Sequence, residues 1–418
     1  MKILYLSSLY YPQAVGGAEK IAQWLAEEMA AKGNTVTVAT LCQRADARTE
    51  SINGVKVRYA PIRNVYQPAL KEQPKALRMV WHLLDAFNWL AARDVDRIVD
   101  EEQPDLVQTN NVVGFSAAVW SRMRARRIPC VHSIFDYYLL CSKSSMFRDG
   151  ANCKRMCSPC ALLTTFRRKA VAKLSAVVAA SQYVFDVHEK FGIFDGVPIR
   201  RTIHAGLPTA VGKSGAPAGV ASPLRVGFLG KLVENKGIEL LLKEFQNLDQ
   251  GRSWELRIGG TGPRDYVDAL KNRYASANVQ FLGFVDSARF MTEIDLLVVP
   301  SLWNDPFPTV VLEALEQGVA VVGSRRGGIP EQIQDGKNGL TFEPAVRGDL
   351  ARALNDAISM GLTRSEIRPR IADSVRHLTL PRMCEQYEEV YCAVRAGASD
   401  RLTASRAQVE SYQMDSKA

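Results

Sequence analysis

The sequence contains no run of 18 apolar residues, which excludes an ordinary membrane-spanning helix. Its first eight residues are apolar but too few for a secretory signal, and they lead to a Gly-Gly pair instead of a small-residue cleavage site. We therefore predict a cytoplasmic protein. A nucleic-acid-binding motif is also lacking, so the formal net charge of +9 does not predict a nucleic-acid partner.

The excess positive charge is partly concentrated in two clusters, at residues 122–127 and 167–169. One interpretation is that both are solvated faces of helices. The other is that they form a patch that holds the protein at an anionic membrane, where lipid-linked acceptors are found. The second interpretation predicts a peripheral protein on the inner face of the cell membrane.

The chain is long enough for two or three domains, and its order of elements predicts an α/β fold. With 418 residues, 47% apolar and 23% charged, it has the composition of a globular enzyme. An apolar strand at 3–9, a loop with Gly16 and Gly17, a helix at 18–31 and a strand at 35–39 predict a doubly wound parallel sheet. We divide the chain into a first domain at 1–208, a Gly/Pro-rich linker at 209–223, a second domain at 224–380, a helix at 381–396 that returns to the first domain, and a disordered tail at 397–418.

Two carboxylates lie at a predicted strand-to-helix crossing in the second half. Asp305 follows an apolar strand, Pro306 and Pro308 break that strand, and Glu313 lies about one turn into the following helix. The free N–H groups of a helix N-terminus suit a phosphate, whereas carboxylates suit sugar hydroxyls, so the stretch predicts a sugar-nucleotide site. The alternative is that Asp305 caps the helix and Glu313 is a solvated first-turn acid.

Two lysines stand at the first strand-to-helix loop of the second domain. Lys231 follows the strand at 224–229, and Lys236 precedes Gly237 and a helix. Two cations at this spacing can converge on one diphosphate, although two surface lysines would look the same in sequence. A later loop, 259–263, has the glycines of a phosphate loop but lacks its Lys-Ser/Thr pair.

The stretch from Pro300 to Ala314, with Asp305 and Glu313 separated by seven residues, resembles the acidic-x7-Glu motif of the family 4 retaining glycosyltransferases, which have the GT-B fold. The family has Glu where this chain has Asp305, and Arg is more usual where it has Lys231. The resemblance implies two Rossmann-like domains facing each other across a cleft. It implies that Lys231 and Lys236 bind the donor diphosphate, that Glu313 binds the ribose and that Asp305 binds the donor sugar. Further implied donor contacts are Gly16, Gly17, Gly262, Phe284, Phe307, Pro308, Thr309 and Val310.

The same resemblance implies a His-Asp pair near the reacting centre. Asp136 stands at the expected place, but Phe135 precedes it and the nearest histidine is His132. A buried histidine is more often a core residue than a catalytic one. We predict that His132, with Asp136, takes the sugar-contacting role.

Four of the eight cysteines fall within twenty residues, at Cys141, Cys153, Cys157 and Cys160. Clustered thiols in a cytosolic chain point to a metal more than to disulfides, and four sulfurs would suit a structural zinc. The alternative is a set of reduced thiols in a loop that faces the acceptor. Some members of the family have a similar insertion.

The expected reaction moves a sugar, with retention, from a nucleoside diphosphate sugar to a hydroxyl of a carbohydrate or lipid-linked acceptor in cell-surface polysaccharide or glycolipid synthesis. Catalysis would need no cofactor, because lysines and helix dipoles would stabilise the leaving diphosphate. Two alternatives are a GT-B enzyme that hydrolyses or epimerises sugar nucleotides, and a non-catalytic adaptor that binds a metal or a membrane.

Overall fold

The computed structural model of the chain describes residues 1–13, 16–43, 46–66, 74–208, 223–246, 248 and 253–415. Two parallel sheets, one in each half, present the carboxyl ends of their strands to a shared gap. This is the arrangement predicted from the alternation of strands and helices.

The described residues of the first half form an eight-stranded sheet in the order β10-β9-β6-β5-β1-β2-β4-β3, with β3 alone antiparallel. Its apolar strands are buried on both faces, as expected for a parallel sheet covered by helices. The strands are β1 (Lys2–Leu6), β2 (Thr35–Cys42), β3 (Arg48–Ile52), β4 (Val55–Pro61), β5 (Leu106–Thr109), β6 (Cys130–Ile134), β9 (Ala176–Ala179) and β10 (Ile199–Thr202).

Helices cover both faces of this sheet, and a two-stranded hairpin stands apart from it in the cysteine-rich segment. The helices are α1 (Gly17–Ala31), α2 (Lys75–Ala86), α3 (Trp89–Glu102), α4 (Ala118–Ala125), α5 (Ser158–Leu163), α6 (Thr165–Val171) and α7 (Gln182–Lys190). The hairpin consists of β7 (Phe147–Arg148) and β8 (Ala151–Asn152).

The described residues of the second half form a six-stranded parallel sheet in the order β13-β12-β11-β14-β15-β16 around one apolar core. Its strands are β11 (Leu224–Leu229), β12 (Trp254–Gly259), β13 (Val279–Gly283), β14 (Leu296–Val299), β15 (Ala320–Ser324) and β16 (Gly339–Phe342). Its helices are α8 (Ile238–Phe245), α9 (Arg264–Tyr274), α10 (Ser287–Thr292), α11 (Thr309–Glu316), α12 (Asp349–Ser359) and α13 (Arg368–Ser374), with short 3₁₀ turns at Glu234–Lys236 and Ser365–Ile367.

The chain returns to the first half in α14 (Leu380–Asp415). Tyr387 and Tyr391 of this helix are buried against the first sheet, where Tyr391 donates to Gln108 at 3.1 Å. The helix continues through most of the tail predicted to be disordered, since residues 398–415 hold good helix formers and neither glycine nor proline. The linker predicted at 209–223 lies outside the described residues except for Pro223.

The two crossings between the halves lie side by side. The Leu207 N–H donates to the Leu378 carbonyl at 3.2 Å, and the Leu380 N–H donates to the Leu207 carbonyl at 2.7 Å. A Cβ at Gly206 would lie 2.1 Å from the Thr379 carbonyl oxygen, so the absence of a side chain there allows the contact.

The apolar residues between 78 and 102 recur at helical spacing, but this stretch forms two helices, α2 and α3. The side chain of Asn88 accepts from the Ala91 N–H at 3.0 Å and so starts a new helix. Leu84 and Leu90, which belong to this pattern, are exposed. Helical spacing shows that a face is apolar but does not identify what covers it.

A buried ion pair joins α2 to α6. Arg167 donates to Asp85 at 2.8 Å, and both side chains are fully buried. Tyr138 donates to the same carboxylate at 3.0 Å, and the Arg167 guanidinium lies 3.8 Å from the centroid of the Tyr138 ring. Arg167 was predicted to belong to an exposed basic cluster, and this prediction is wrong because the side chain is the partner of a buried acid.

No described helix is both long enough and apolar enough to cross a bilayer.

We predict that Arg167→Met lowers the free energy of unfolding by about 3–5 kcal/mol, because it leaves the Asp85 carboxylate buried without its cation. Urea unfolding of the purified protein measures this change. The matched control is Arg97→Met, which removes an exposed arginine that lies 3.5 Å from Asp94 and should cost less than about 0.5 kcal/mol. Adding Asp85→Asn to Arg167→Met should recover part of the loss. Equal costs for the two single variants would contradict the assignment.

Candidate functional site

The loop between β14 and α11 lies at the centre of the gap between the halves. Pro300 follows β14, and α11 begins at Thr309 directly after Pro308. No described side chain caps this helix, so its first N–H groups keep their capacity to bind an anion. The strand-to-helix crossing predicted from sequence is therefore present.

Asp305 and Lys236 meet in this loop. Asp305 is buried and forms an ion pair with the Lys236 ammonium, which also lies 5.1 Å from the centroid of the Trp303 ring. The lysine ends a 3₁₀ turn whose next residue, Gly237, has φ +73°. A Cβ at Gly237 would lie 1.8 Å from the Pro300 carbonyl oxygen, so glycine is required for the two loops to touch.

Glu313 has partners from both halves of the molecule. It hydrogen bonds with the Ser287 hydroxyl at the start of α10, and its carboxylate lies 3.7 Å from the Lys20 ammonium of α1. The alternative interpretation of Glu313 as a solvated acid does not hold, because its side chain is only 16% exposed.

The N-termini of α1 and α11 approach each other across the gap. Gly16 precedes α1 with no capping side chain, and Gly17 is its first residue. A Cβ at Gly17 would lie 3.1 Å from the Thr309 hydroxyl oxygen. Two helix N-termini this close direct their positive ends toward the same space. Gly17 and Thr309 are thus brought together, with Gly16, Pro308 and Val310 as their neighbours in the chain.

The other predicted donor contacts are more dispersed. Lys231 is exposed at the end of β11, with no side-chain partner among the described contacts. Gly262 packs against the same loop, since its Cβ would lie 2.0 Å from the Leu232 carbonyl oxygen. Phe307 is buried and stacks on His204 at 5.0 Å, whereas Phe284 is 87% exposed after β13.

Asp136 lies in a small cavity of about 20 Å³ at the carboxyl ends of β1, β5 and β6. Glu19, Asn110 and Asn111 line the same cavity, and the Asp136 carboxylate accepts from the Tyr138 N–H at 2.8 Å. Burial raises the pKa of Asp136 to about 6, and the negative charge of Glu19 contributes to the rise. The cavity thus holds a carboxyl group that gains or loses its proton near neutral pH.

His132 is not brought to this cavity. It lies within β6 and is 4% exposed, with its ring 4.8 Å from that of Trp120 and its Nδ1 2.9 Å from the Thr109 hydroxyl. Burial lowers the pKa of His132 to about 3, which favours the neutral ring. The structure therefore places it as a core residue and not beside Asp136 as predicted. His132 lies four positions upstream of Asp136 and within β6, whereas Asp136 lies beyond the end of that strand at Ile134.

The four cysteines lie near one another beneath the hairpin β7–β8. The Cys141 and Cys160 sulfurs are 3.8 Å apart and buried, while Cys153 and Cys157 are half-buried. Burial and the three neighbouring thiols raise the pKa of Cys153. Across the described chain no three His, Cys, Asp or Glu side chains are grouped closely enough to hold a metal, so this arrangement does not fit a four-thiolate zinc site.

The cysteine-rich segment instead makes polar contacts with the loop that carries Asp305. The Asn152 side chain donates to the Leu302 carbonyl at 2.7 Å and accepts from the Asn304 N–H at 2.9 Å. Tyr137 donates to the Asn304 carbonyl at 2.7 Å. Beside these contacts lies a cavity of about 690 Å³, lined from both halves and bordered by Lys154, Lys190 and Arg326.

Sequence reasoning missed a contact between the halves at Glu331. Its carboxylate accepts from the first N–H groups of α7, those of Gln182 and Tyr183, at 2.8 and 2.7 Å, and from His204 at 2.9 Å. These contacts lower the pKa of Glu331 despite its burial. The available signal was the Gly-Gly-x-Pro-Glu sequence that ends at this residue.

Two family models match the chain in sequence. Residues 16–204 match a glycosyl transferase 4-like domain, and residues 223–360 match the glycosyl transferases group 1. The two matches cover the second sheet and all strands of the first sheet except β1.

Proteins of similar sequence agree with these two family matches. The chain is 30% identical over 332 residues to an uncharacterised 42.6 kDa protein in the cps region of Klebsiella pneumoniae, covering 79% of this chain and 87% of that protein. It is 30% identical over 144 residues to the lipopolysaccharide core biosynthesis glycosyltransferase LpsE of Rhizobium meliloti, covering 34% of this chain and 42% of that protein.

Solved structures confirm the fold. Sucrose-phosphate synthase from Thermosynechococcus elongatus superposes with a TM-score of 0.72 and 18% identity, covering 95% of this chain and 99% of that chain. HepE from Anabaena, solved in complex with UDP, has a TM-score of 0.68 and 20% identity, covering 94% of this chain and 100% of that chain. The expected arrangement of two facing Rossmann-like domains, the GT-B fold, is confirmed.

We predict that the Asp136 carboxyl titrates near pH 6, and that Glu19→Gln moves this titration to lower pH because it removes a neighbouring negative charge. Carbon NMR of protein labelled at aspartate carboxyl groups measures both values. Asp136→Asn assigns the signal by its disappearance. An unchanged titration in Glu19→Gln would contradict the coupling within the cavity.

We predict that His132→Gln changes the pH dependence of stability. Because the folded-state pKa of His132 is lowered to about 3 from an ordinary value of about 6.5, the unfolded chain binds the extra proton between these limits. Stability supported by the neutral ring is complete above about pH 6.5 and is lost as the pH falls toward 3. Urea unfolding at several pH values should show a smaller acid loss in the variant. An unchanged slope would disprove the core assignment.

Proposed function

The chain belongs to the family 4-like glycosyltransferases of the GT-B fold, and on that premise we propose that it uses a nucleoside diphosphate sugar as donor and retains the anomeric configuration. The acceptor in this proposal is a hydroxyl of a carbohydrate or lipid-linked molecule. Support for the donor class comes from HepE of Anabaena, which was solved with UDP and with UDP-glucose.

The observation that carries the proposal is the approach of two uncapped helix N-termini, those of α1 and α11, at Gly17 and Thr309. Lys236 lies in the same loop system, where its ammonium group pairs with Asp305. A diphosphate is the group that best suits two helix ends and nearby ammonium groups. In this proposal the charge that grows on the leaving diphosphate is stabilised by Lys231, Lys236 and the helix ends, without a metal cofactor.

The carboxylates would bind the sugar hydroxyls of the donor. Glu313, held by Ser287 and Lys20, is oriented to accept hydrogen bonds from the ribose. Asp305 would accept from the hydroxyls of the transferred sugar. Its ion pair with Lys236 keeps both groups ordered before the donor arrives, so little side-chain freedom is lost on binding.

Asp136 would act on the opposite wall of the gap. Its cavity is lined by carboxylate and amide groups, which suit the hydroxyls of a sugar. With a pKa of about 6, the carboxyl is mainly ionised at neutral pH and can accept a hydrogen bond from a reacting hydroxyl. We propose a role in cell-surface polysaccharide or glycolipid synthesis, supported by the cps-region protein of Klebsiella pneumoniae and by LpsE of Rhizobium meliloti.

We predict that one nucleoside diphosphate, screened as UDP, GDP and ADP with their common sugars, raises the thermal unfolding temperature. A ligand at 100 times its Kd adds about 2.7 kcal/mol of stability. Lys236→Met and Glu313→Gln should remove most of this gain, because they remove a phosphate partner and a ribose partner. The matched control is Lys271→Met, an exposed lysine of α9 in the same half, and it should keep the full shift.

Transfer is then measured with the donor so identified and simple sugar acceptors, and proton NMR gives the anomeric configuration of the product. Retention supports the proposal, whereas an inverted product contradicts it. Nucleotide release that is faster than transfer and independent of acceptor would favour a hydrolase. Absence of stabilisation by every nucleotide sugar would overturn the transferase and favour a non-catalytic protein.

A further inference from the structure

The first half carries a concentrated apolar surface outside the gap. Of fifteen large apolar side chains that are exposed in the described chain, nine lie on α2, α3, α5, α6 and the residue that follows α2, so the apolar exposure is not scattered. We call these nine residues the apolar patch: Met79, Val80, Leu83, Leu84, Phe87, Trp89, Leu90, Leu162 and Phe166.

The patch is continuous across the helices that form it. Met79 and Leu83 lie four residues apart on one side of α2, and Phe87 continues this spacing directly after the helix. The Phe87 ring lies 6.1 Å from that of Phe166 on α6, and α2 also packs against α5, which carries Leu162. The neighbouring Trp89 opens α3.

The helix α2 exposes apolar side chains and buries a charged one, which is the reverse of a solvated surface helix. Its acid, Asp85, points inward to Arg167, while its outward side is apolar. A soluble helix normally buries its apolar side and exposes charge. Exposed apolar surface of this extent marks a site of interaction.

The rim of the patch carries positive charge that the protein leaves uncompensated. Arg78, Arg93, Lys143 and Lys169 are exposed, and none has an ion-pair partner among the described contacts. Burial lowers the pKa of His82 on α2 to about 4, and the charges of Arg167, Arg78 and Lys143 lower it further. Between residues 137 and 173 the sequence has eight basic residues and one acid, Asp149.

Two arginines of the basic cluster at 122–127 pair with acids of α3. Arg122 and Arg126 pair with Asp96, and Arg126 also pairs with Asp100. Their charges are therefore compensated on the protein itself. The attraction for an anionic surface would come instead from the rim.

We propose that the apolar patch and its basic rim dock the protein on an anionic lipid surface. In this arrangement α2 lies parallel to the membrane, with Leu83 and Phe87 at the boundary between headgroups and acyl chains, and the rim cations contact the lipid phosphates. A positively charged rim around an apolar centre is complementary to a bilayer with acidic headgroups. This inference goes beyond the proposed function and does not depend on it.

The test is co-sedimentation of the full chain with vesicles of phosphatidylcholine alone or mixed equally with phosphatidylglycerol. We expect binding to the anionic vesicles to exceed binding to the neutral ones by about tenfold or more, and to weaken at high salt. Leu83→Gln combined with Phe166→Gln should reduce anionic binding by about tenfold or more, since two apolar side chains no longer enter the boundary. Lys143→Gln combined with Lys169→Gln should reduce the preference for anionic lipid.

The matched control is Val346→Gln combined with Met360→Gln, which replaces two equally exposed apolar side chains of the second half and should bind as the unaltered protein does. Thermal unfolding without lipid verifies that each variant is folded. Failure of the unaltered protein to bind anionic vesicles, or unchanged binding by the patch variant, would overturn the proposal. A dimer in lipid-free buffer that the patch variant dissociates, measured by light scattering, would also overturn it by making the patch a subunit interface.

Discussion

The site depends on the loop from Pro300 to Pro308. The backbone polar groups of this loop form hydrogen bonds with residues outside it. Leu302 and Asn304 are bonded by Asn152, and the Asp305 carbonyl accepts from the Gly328 N–H at 2.8 Å. Buried backbone groups need partners, so this loop keeps its shape only while the surrounding loops keep theirs. The position of Asp305 is thereby determined by both halves of the molecule.

Local sequence signals identified the parts of the site that depend on backbone order. The alternation of apolar strands with glycine loops predicted both sheets, and the paired prolines before α11 predicted the uncapped helix N-terminus. Lys236 and Asp305 were identified through the motifs that carry them, although their mutual ion pair was not foreseen. The two residues are 69 positions apart in the chain, and a single sequence does not show which distant residues are in contact.

Whether a given side chain is buried or exposed could not be predicted from the sequence, because it depends on which other elements pack against it. Periodicity placed Leu84 and Leu90 on an apolar side but could not distinguish a buried side from an exposed one. Charge density suggested that Arg167 was a surface residue, whereas its partner Asp85 lies 82 positions earlier in the chain. The composition around His132 likewise did not reveal that its ring packs on Trp120 of α4. In each case a partner distant in sequence determines the role of the residue.

The paired crossings at Gly206–Leu207 and Leu378–Leu380 limit how the two halves can move. A single tether would leave the halves three rotational degrees of freedom, whereas two adjacent tethers joined by hydrogen bonds define an axis. Motion that preserves those bonds is rotation about this axis, which widens or narrows the gap. Sliding of one half past the other would break them. Rotation that widens the gap would also break the contacts across it, such as those of Asn152 with the loop from Pro300 to Pro308, so these contacts oppose opening.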